Sequence, residues 1–328
     1  MAQPKLRWGV VGTAKIADQL VRAWELSKTN ELVAIASRDG AKAKAWAEKN
    51  HAGRVFDSYE KMLAADGIDA VYIPLPNSMH KEWTINAARN GKHVLCEKPL
   101  ADNTQQVEEI IAARDSFKVT IMEAFMYRFH PKTLRAQKMI TEGALGEVRQ
   151  IRASFGFRLS DMNNIRNQKE LTGGALMDVG CYCVNIARRI ANAEPLAVQA
   201  RAVWGDTDVD HSLAAVLEFP NDVLANIDCS FQIDTHQWYG VSGTRGHLGV
   251  TAPFRMGEDD QVLLYDHEGK HEDLIVRGAN EYQMMIDHFA DAVLNGKPLA
   301  YTLENSLGQA RTIDALYQSA RTGFRVTL

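Results

Sequence analysis

Leu6-Arg7-Trp8-Gly9-Val10-Val11-Gly12-Thr13-Ala14-Lys15-Ile16-Ala17 decides the fold of this chain. The first six residues form a short apolar run of the kind that makes a buried strand. From Thr13 to Leu26 the period changes, with Ile16, Leu20, Ala23 and Trp24 on one face of an expected helix. Gly12 stands where strand gives way to helix. A glycine there lets backbone N–H groups approach a pyrophosphate at a helix N-terminus. Thr13, Ala14 and Ile16 line the same turn. Against the pattern G-x-G-x-x-G, Gly12 fits, and Ala14 and Ala17 take the other two positions. Alanine is tolerated at the last and is a departure at the middle, so the turn alone is a weak dinucleotide signal.

Working outward, strand and helix alternate. Strands are expected at Glu31–Ala36, Arg54–Phe56, Asp69–Ile73, Lys92–Leu95 and Val119–Met122. Helices are expected at Ala41–Lys49, Tyr59–Ala65, Met79–Arg89 and Thr104–Ser116. This rhythm predicts an α/β fold with a doubly wound, mostly parallel sheet over residues 1–123. Beyond about Arg128 the rhythm changes. A helix at Lys132–Thr141 precedes a strand at Gly146–Phe157, and a polar loop, Ser160–Lys169, leads to Gly173-Gly174 and a helix at Leu176–Ile190. Five strand-like runs follow between Ala197 and Val250, with a hairpin expected at Pro220-Asn221-Asp222. Successive strands without helices between them predict an antiparallel sheet. Helices at Tyr282–Leu294 and Glu304–Ala320 close a second domain, 124–328, joined to the first by a direct passage near 123–128.

The chain has 328 residues, 46% hydrophobic and 24% charged, with a net charge of −4. That balance argues against a nucleic-acid partner. No apolar run reaches the length of a membrane span, and no signal peptide precedes the first strand, so the expected location is cytoplasmic. Cys96, Cys181, Cys183 and Cys229 lack zinc spacing and are expected to be reduced core residues, with no metal site.

Four clusters carry candidate chemistry. After the second strand comes Ser37-Arg38. Ser37 stands where a ribose-binding acid usually sits, and Arg38 is a planar donor suited to a 2′-phosphate, which points to NADP rather than NAD. Asp39 is a counter-sign, since it can pair with Arg38. After the fourth strand, Pro74-Leu75-Pro76-Asn77 makes a rigid crossing of the sheet edge, and His80 is either a cap, a ribose contact or a structural residue. At the fifth strand, Cys96-Glu97-Lys98-Pro99 places a Glu-Lys pair beside a buried run. A buried ammonium needs a partner or a task. At a strand's carboxyl end, a lysine can act on a hydroxyl or carbonyl next to a nicotinamide. Finally, Asp178, Tyr182 and Asn185 at i, i+4 and i+7 share one face of an otherwise apolar helix. A tyrosine beside an ammonium can serve as an acid/base.

With these residues in hand, the chain resembles the glucose-fructose oxidoreductase/inositol dehydrogenase (Gfo/Idh/MocA) family over essentially its whole length. Glu97-Lys98-Pro99, Gly243-Thr244-Arg245-Gly246 and Pro253-Phe254 carry the resemblance. Met122-Glu123-Ala124-Phe125-Met126-Tyr127-Arg128-Phe129-His130-Pro131 resembles the branch with NADP-dependent D-xylose and dihydrodiol dehydrogenases. Asp178-Val179-Gly180-Cys181-Tyr182 resembles the sugar-oxidising glucose-fructose enzymes, whereas inositol dehydrogenases carry histidine in place of Tyr182.

The resemblance implies a Rossmann domain and a C-terminal α/β domain on a large open, mostly antiparallel sheet that makes a homodimer or homotetramer. It implies that Lys98 polarises the reacting hydroxyl, Tyr182 is its acid/base partner, Asp178 orients substrate and Glu97 fixes Lys98. Arg128, Arg166 and Lys169 follow as contacts to substrate, with Arg166 also reaching the cofactor. The expected activity is NADP(H)-dependent hydride transfer at the anomeric carbon of an aldose such as D-xylose or D-glucose. The alternatives are a trans-dihydrodiol dehydrogenase, an NADPH-dependent ketose or anhydrosugar reductase, an enzyme that retains its cofactor between two sugars, and a non-catalytic NADP-binding regulator.

Overall fold

A computed structural model describes residues 4–328. The chain separates into two compact units, Met1–Met126 with Tyr282–Leu307, and Tyr127–Glu281 with Gly308–Leu328. This differs from the contiguous split at 123/124. A segment near the C-terminus groups with the first unit, and the division passes through the last long helix.

In the first unit, strands β1 (Leu6–Val11), β2 (Asn30–Ala36), β3 (Arg54–Phe56), β4 (Ala70–Ile73), β5 (His93–Glu97) and β6 (Ile121–Ala124) form one parallel sheet in the order β3-β2-β1-β4-β5-β6. That order is the doubly wound dinucleotide-binding topology, and it reverses direction between β1 and β4. β4 and β6 are buried at every residue, as expected of strands covered on both faces. The helices are α1 (Ala17–Leu26), α2 (Gly40–Asn50), α3 (Tyr59–Leu63), α4 (His80–Arg89) and α5 (Thr104–Phe117). Helix α1 starts later than its periodicity suggests. Ala17, Asp18 and Gln19 donate three residues back to Ala14, Lys15 and Ile16, so the residues after Gly12 form a tight turn.

In the second unit, a nine-stranded sheet runs β14-β13-β12-β11-β7-β10-β9-β8-β15. Its members are β7 (Val148–Gly156), β8 (Ala197–Trp204), β9 (Asp210–Phe219), β10 (Val223–Ser230), β11 (His236–Gly243), β12 (Gly246–Thr251), β13 (Gln261–His267), β14 (Lys270–Val276) and β15 (Val326–Thr327). Pairing is antiparallel except between β7 and β10, which run parallel from Gln150↔Leu224 to Gly156↔Ser230. Asn221 and Asp222 adopt φ of 62° and 57° in the β9–β10 hairpin, as a tight primed turn requires. The β13–β14 hairpin and β15 were not expected from the sequence.

Helices α6 (Pro131–Thr141) and α7 (Cys181–Ala191) belong to this unit. The expected helix Leu176–Ile190 divides into a π-turn, Leu176–Gly180, followed by α7. The i, i+4 reading therefore does not hold between Asp178 and Tyr182, whereas Tyr182 and Asn185 lie within one α-helical stretch. Opposite the helices, β8, β9 and β10 expose Val203, Val216 and Leu224 by 55%, 39% and 42%.

Helices α8 (Glu281–Asn295) and α9 (Leu303–Thr322) end the chain. Phe289 of α8 packs on Trp8 of β1, with ring centroids 5.3 Å apart. Asp287 accepts from Asn30 Nδ2 at 2.9 Å, and Asn30 Oδ1 accepts from Trp8 Nε1 at 2.7 Å. These contacts explain why this helix counts with the first sheet. No helix among the described residues is long and apolar enough to cross a membrane.

Candidate active site

The first unit gathers four strand-end segments, after β1, β2, β4 and β5, at the carboxyl edge of its sheet. Gly12 has φ 103°, and its N–H donates to the Ala36 carbonyl at 2.8 Å. A Cβ on Gly12 would lie 2.9 Å from Leu75 Cδ2, so only glycine fits between this turn and the segment after β4. With no Cβ at Gly12, the backbone of this turn can come close to a group at the start of α1, as a bound pyrophosphate requires. The residues present therefore fit a dinucleotide, with Thr13, Ala14 and Ile16 completing the turn.

At the end of β2 the residues divide their tasks. Ser37 is buried, and its Oγ accepts from the Asp39 N–H at 3.2 Å. Asp39 Oδ1 accepts from the N–H groups of Ala41 and Lys42 at 3.0 and 3.1 Å, which makes Asp39 the N-cap of α2. The carboxylate is used by the helix and does not pair with Arg38. Arg38 itself is exposed, with no protein hydrogen bond or ion pair among the described residues.

After β4, Pro74 and Leu75 are buried and Asn77 opens a short 3₁₀ turn. His80 is completely buried. Its Nδ1 lies 2.7 Å from the Pro99 carbonyl and its Nε2 2.8 Å from the Leu75 carbonyl. Both ring nitrogens face backbone carbonyls, of which the neutral ring donates to one, so His80 ties two loops together. Burial holds its pKa below the ordinary histidine value, against the pull of the two carbonyls.

Lys98 is half-buried after β5, in a segment braced from three sides. Glu97 Oε1 accepts from the Tyr72 hydroxyl at 2.5 Å, and Glu97 Oε2 accepts from the Lys98 N–H at 3.3 Å. The Lys98–Pro99 bond is cis, and the Pro99 carbonyl is the one held by His80. The Leu100 N–H donates to Glu123 Oε1 on β6 at 2.9 Å. Tyr72 and Glu123 were not singled out in the sequence; a lone acid inside the buried run Ile121–Ala124 was the available signal.

In the second unit the polar residues cluster at the π-turn. Arg166 Nε donates to Asp178 Oδ2 at 2.6 Å, and its guanidinium lies over the Phe157 ring at 5.9 Å. Asp178 and, to a lesser degree, Tyr182 raise the pKa of Arg166, which places all three groups in one electrostatic neighbourhood. The Tyr182 ring is packed among Tyr127, Phe155 and Phe254, at 5.8, 5.6 and 5.2 Å.

Asn185, Arg128 and Lys169 each have partners within the protein. Asn185 is fully buried and accepts from Tyr127 Oη at 2.6 Å and from Arg128 Nη1 at 2.7 Å. The stripe residue Asn185 is thus an internal brace, and Arg128 is drawn into the protein as its donor. Lys169 is exposed and pairs with Asp208 at 2.6 Å; Arg321 shares that carboxylate. Among the described residues, no group of three or more His, Cys, Asp or Glu side chains is arranged to hold a metal ion.

The strand order and the glycine turn after β1 define a nucleotide-binding fold of the Rossmann type. The profile of the GFO/IDH/MocA oxidoreductase family, NAD-binding Rossmann fold, matches residues 6–125, and the GFO/IDH/MocA C-terminal domain matches 133–249. The chain is 37% identical over 325 residues to D-xylose 1-dehydrogenase (NADP(+)) 2 of Haloferax volcanii, covering 98% of this chain and 100% of that one. It is 34% identical to trans-1,2-dihydrobenzene-1,2-diol dehydrogenase of Xenopus laevis, over 81% of each. The crystal structure of an aldose-aldose oxidoreductase from Caulobacter crescentus superposes with a TM-score of 0.93 at 28% identity, covering 99% of this chain and 100% of that one. The chain belongs to the GFO/IDH/MocA family.

Proposed function

We propose that the protein is an NADP(H)-dependent sugar oxidoreductase acting at the anomeric carbon of an aldose such as D-xylose or D-glucose. The observation that carries this reading is the bracing of Lys98 by Tyr72–Glu97, His80 and Glu123, with Arg38 left uncommitted at the end of β2. A lysine whose backbone is held this closely at the carboxyl edge of a parallel sheet fits a task at the ligand-binding edge better than a structural pair. The similarity to the D-xylose enzyme supports the substrate class.

NADP⁺, when bound, supplies the hydride acceptor. Gly12 and the turn to Ile16 admit its pyrophosphate, and Arg38 takes the 2′-phosphate that the capped Asp39 leaves to it. Lys98 donates a hydrogen bond to the anomeric oxygen. With the C1 hydride taken up by the bound cofactor, the hydroxyl proton would pass to Tyr182 in its phenolate form, and the sugar would leave as a lactone. Asp178 and Arg166 orient the hydroxyls.

The test is a panel of aldoses, polyols and dihydrodiols with NADP⁺ or NAD⁺, read by reduced-nicotinamide absorbance. Aldose turnover with NADP⁺ supports the reading. Oxidation of dihydrodiols alone moves the protein to the second relative's activity, and tight NADPH binding without turnover in either direction makes it a regulator. We further infer that copies associate through the open face of the nine-stranded sheet, where Val203, Val216 and Leu224 stand exposed.

A further inference from the structure

The paired glycines before the π-turn take no part in the proposed chemistry, yet their surroundings leave no room for any other residue. A Cβ on Gly173 would lie 2.3 Å from the Arg166 carbonyl oxygen, and one on Gly174 would lie 2.2 Å from Asp210 Oδ1. Gly174 also has φ 117°, a backbone state that side chains disfavour. The loop is threaded between the backbone of Arg166 and the carboxylate of Asp210.

Asp210 opens β9 and is fully buried. Its Oδ2 accepts from the Leu176 N–H at 2.7 Å, and its Oδ1 accepts from the Tyr317 hydroxyl at 2.8 Å. Neither hydrogen-bond partner is a cation, so this is a costly place for a carboxylate. Leu176 is the first residue of the π-turn that carries Asp178 and runs into Tyr182. The same loop reaches Arg166 by a second path. The Gly174 N–H donates to the Arg166 carbonyl at 2.9 Å, while the Gly174 carbonyl accepts from the Asp178 N–H at 3.0 Å. Arg166 and Asp178 then meet through their side chains. A shift of Asp210 would thus pass through Leu176 and Gly174 to both members of that pair.

We propose that Asp210 is a positioning residue, which sets the start of the π-turn by accepting the Leu176 N–H and so places Asp178, Arg166 and Tyr182. The proposal rests on the roles assigned to those three residues above. Helix-start acceptors are common stabilising devices; what separates this one is the expected effect on turnover at unchanged cofactor affinity.

Two variants of the full chain test it. Asp210→Ala removes both acceptors, whereas Asp210→Asn keeps one oxygen for the Leu176 N–H and an amide for the Tyr317 hydroxyl. Asp210→Ala should lower kcat by about 10- to 100-fold, the scale of a small misplacement of catalytic groups. NADP⁺ affinity should stay within about twofold, and Asp210→Asn should recover most of the loss. Hydrogen exchange should quicken over residues 176–182 in the alanine variant and not in the asparagine one. A folded Asp210→Ala protein with normal kcat and normal exchange overturns the proposal, as does equal damage in both variants. If Asp210→Ala does not fold, Gly174→Ala presses on the same carboxylate from the other side and should give the same pattern; unchanged exchange there overturns it. Should the wild type turn over no sugar, the exchange arm still reads the proposal, so its failure and that of the functional reading are distinct.

Discussion

Replacing Arg38 with alanine should separate the two nicotinamide cofactors. Arg38 is exposed and uncommitted, and its neighbour Asp39 is occupied by the N–H groups of Ala41 and Lys42. Whatever the guanidinium does for cofactor, it does without a competing carboxylate. Hydrogen bonds to a charged group contribute about 1.5–3 kcal/mol, so their loss should weaken NADP⁺ by about 10- to 150-fold. Solvent exposure places the effect toward the lower end, and added salt should shrink it further. NAD⁺ lacks the phosphate and should change by no more than about twofold. The assay is titration of tryptophan fluorescence or calorimetry with both cofactors on wild type and Arg38→Ala. Asp39→Ala is the control. It should cost about 1 kcal/mol of stability as a lost helix cap and leave the NADP⁺/NAD⁺ ratio alone. Parallel losses of both cofactors in Arg38→Ala, or a changed ratio in Asp39→Ala, would refute the assignment.

Tyr72→Phe removes the buried hydroxyl that holds Glu97. It should cost about 1–3 kcal/mol in urea unfolding and lower kcat more than NADP⁺ affinity; an unaltered kcat would detach Glu97 from the placement of Lys98. Stability should also depend on pH. Burial lowers the pKa of His80, His93, His130 and His288 from 6.5, so below that pH the unfolded chain takes up protons the native state resists. Asp210, raised to about 6 by burial, acts in the opposite sense, since its native state binds a proton the unfolded chain has already released. His271, raised by its hydrogen bonds to Asp266 and Asp273, acts in the same sense as Asp210; four groups oppose two, so the Tm should fall between about pH 7.5 and 5.5, and a rise would contradict the burial argument. Light scattering should show a dimer or tetramer, and Leu224→Glu on the open sheet face should weaken it; a monomeric wild type would remove that inference.

Much of this was legible because it is local. The period change at Gly12, the alternation through Met122 and the Glu97-Lys98-Pro99 segment each announce themselves within a dozen residues. The rest depends on partners far along the chain. No periodicity in α8 says that Phe289 will meet Trp8, so its grouping with the first sheet was invisible. Around its turn the β13–β14 hairpin carries Asp266, His267, Lys270, His271, Glu272 and Asp273, and β14 is mostly exposed, which hides the pairing of the apolar run Val262–Tyr265 in β13. Side-chain partners were hidden in the same way. His80, Arg128, Lys169 and Asn185 are all chemically able to touch ligand. Their partners, two carbonyls, Asn185, Asp208 and the Tyr127–Arg128 pair, are set by tertiary packing.

The central claim is that Lys98 works on the substrate of an NADP-linked sugar oxidation. Its most direct test is the rate of reduced-nicotinamide formation from NADP⁺ and an aldose panel by wild type and Lys98→Ala, with NADP⁺ affinity measured on both. The account predicts aldose turnover by the wild type, a loss of about 10²–10⁴-fold in the variant, and similar cofactor affinity in the two. Near-normal rates in Lys98→Ala, or a wild type that binds NADPH and is silent in both directions, would contradict it.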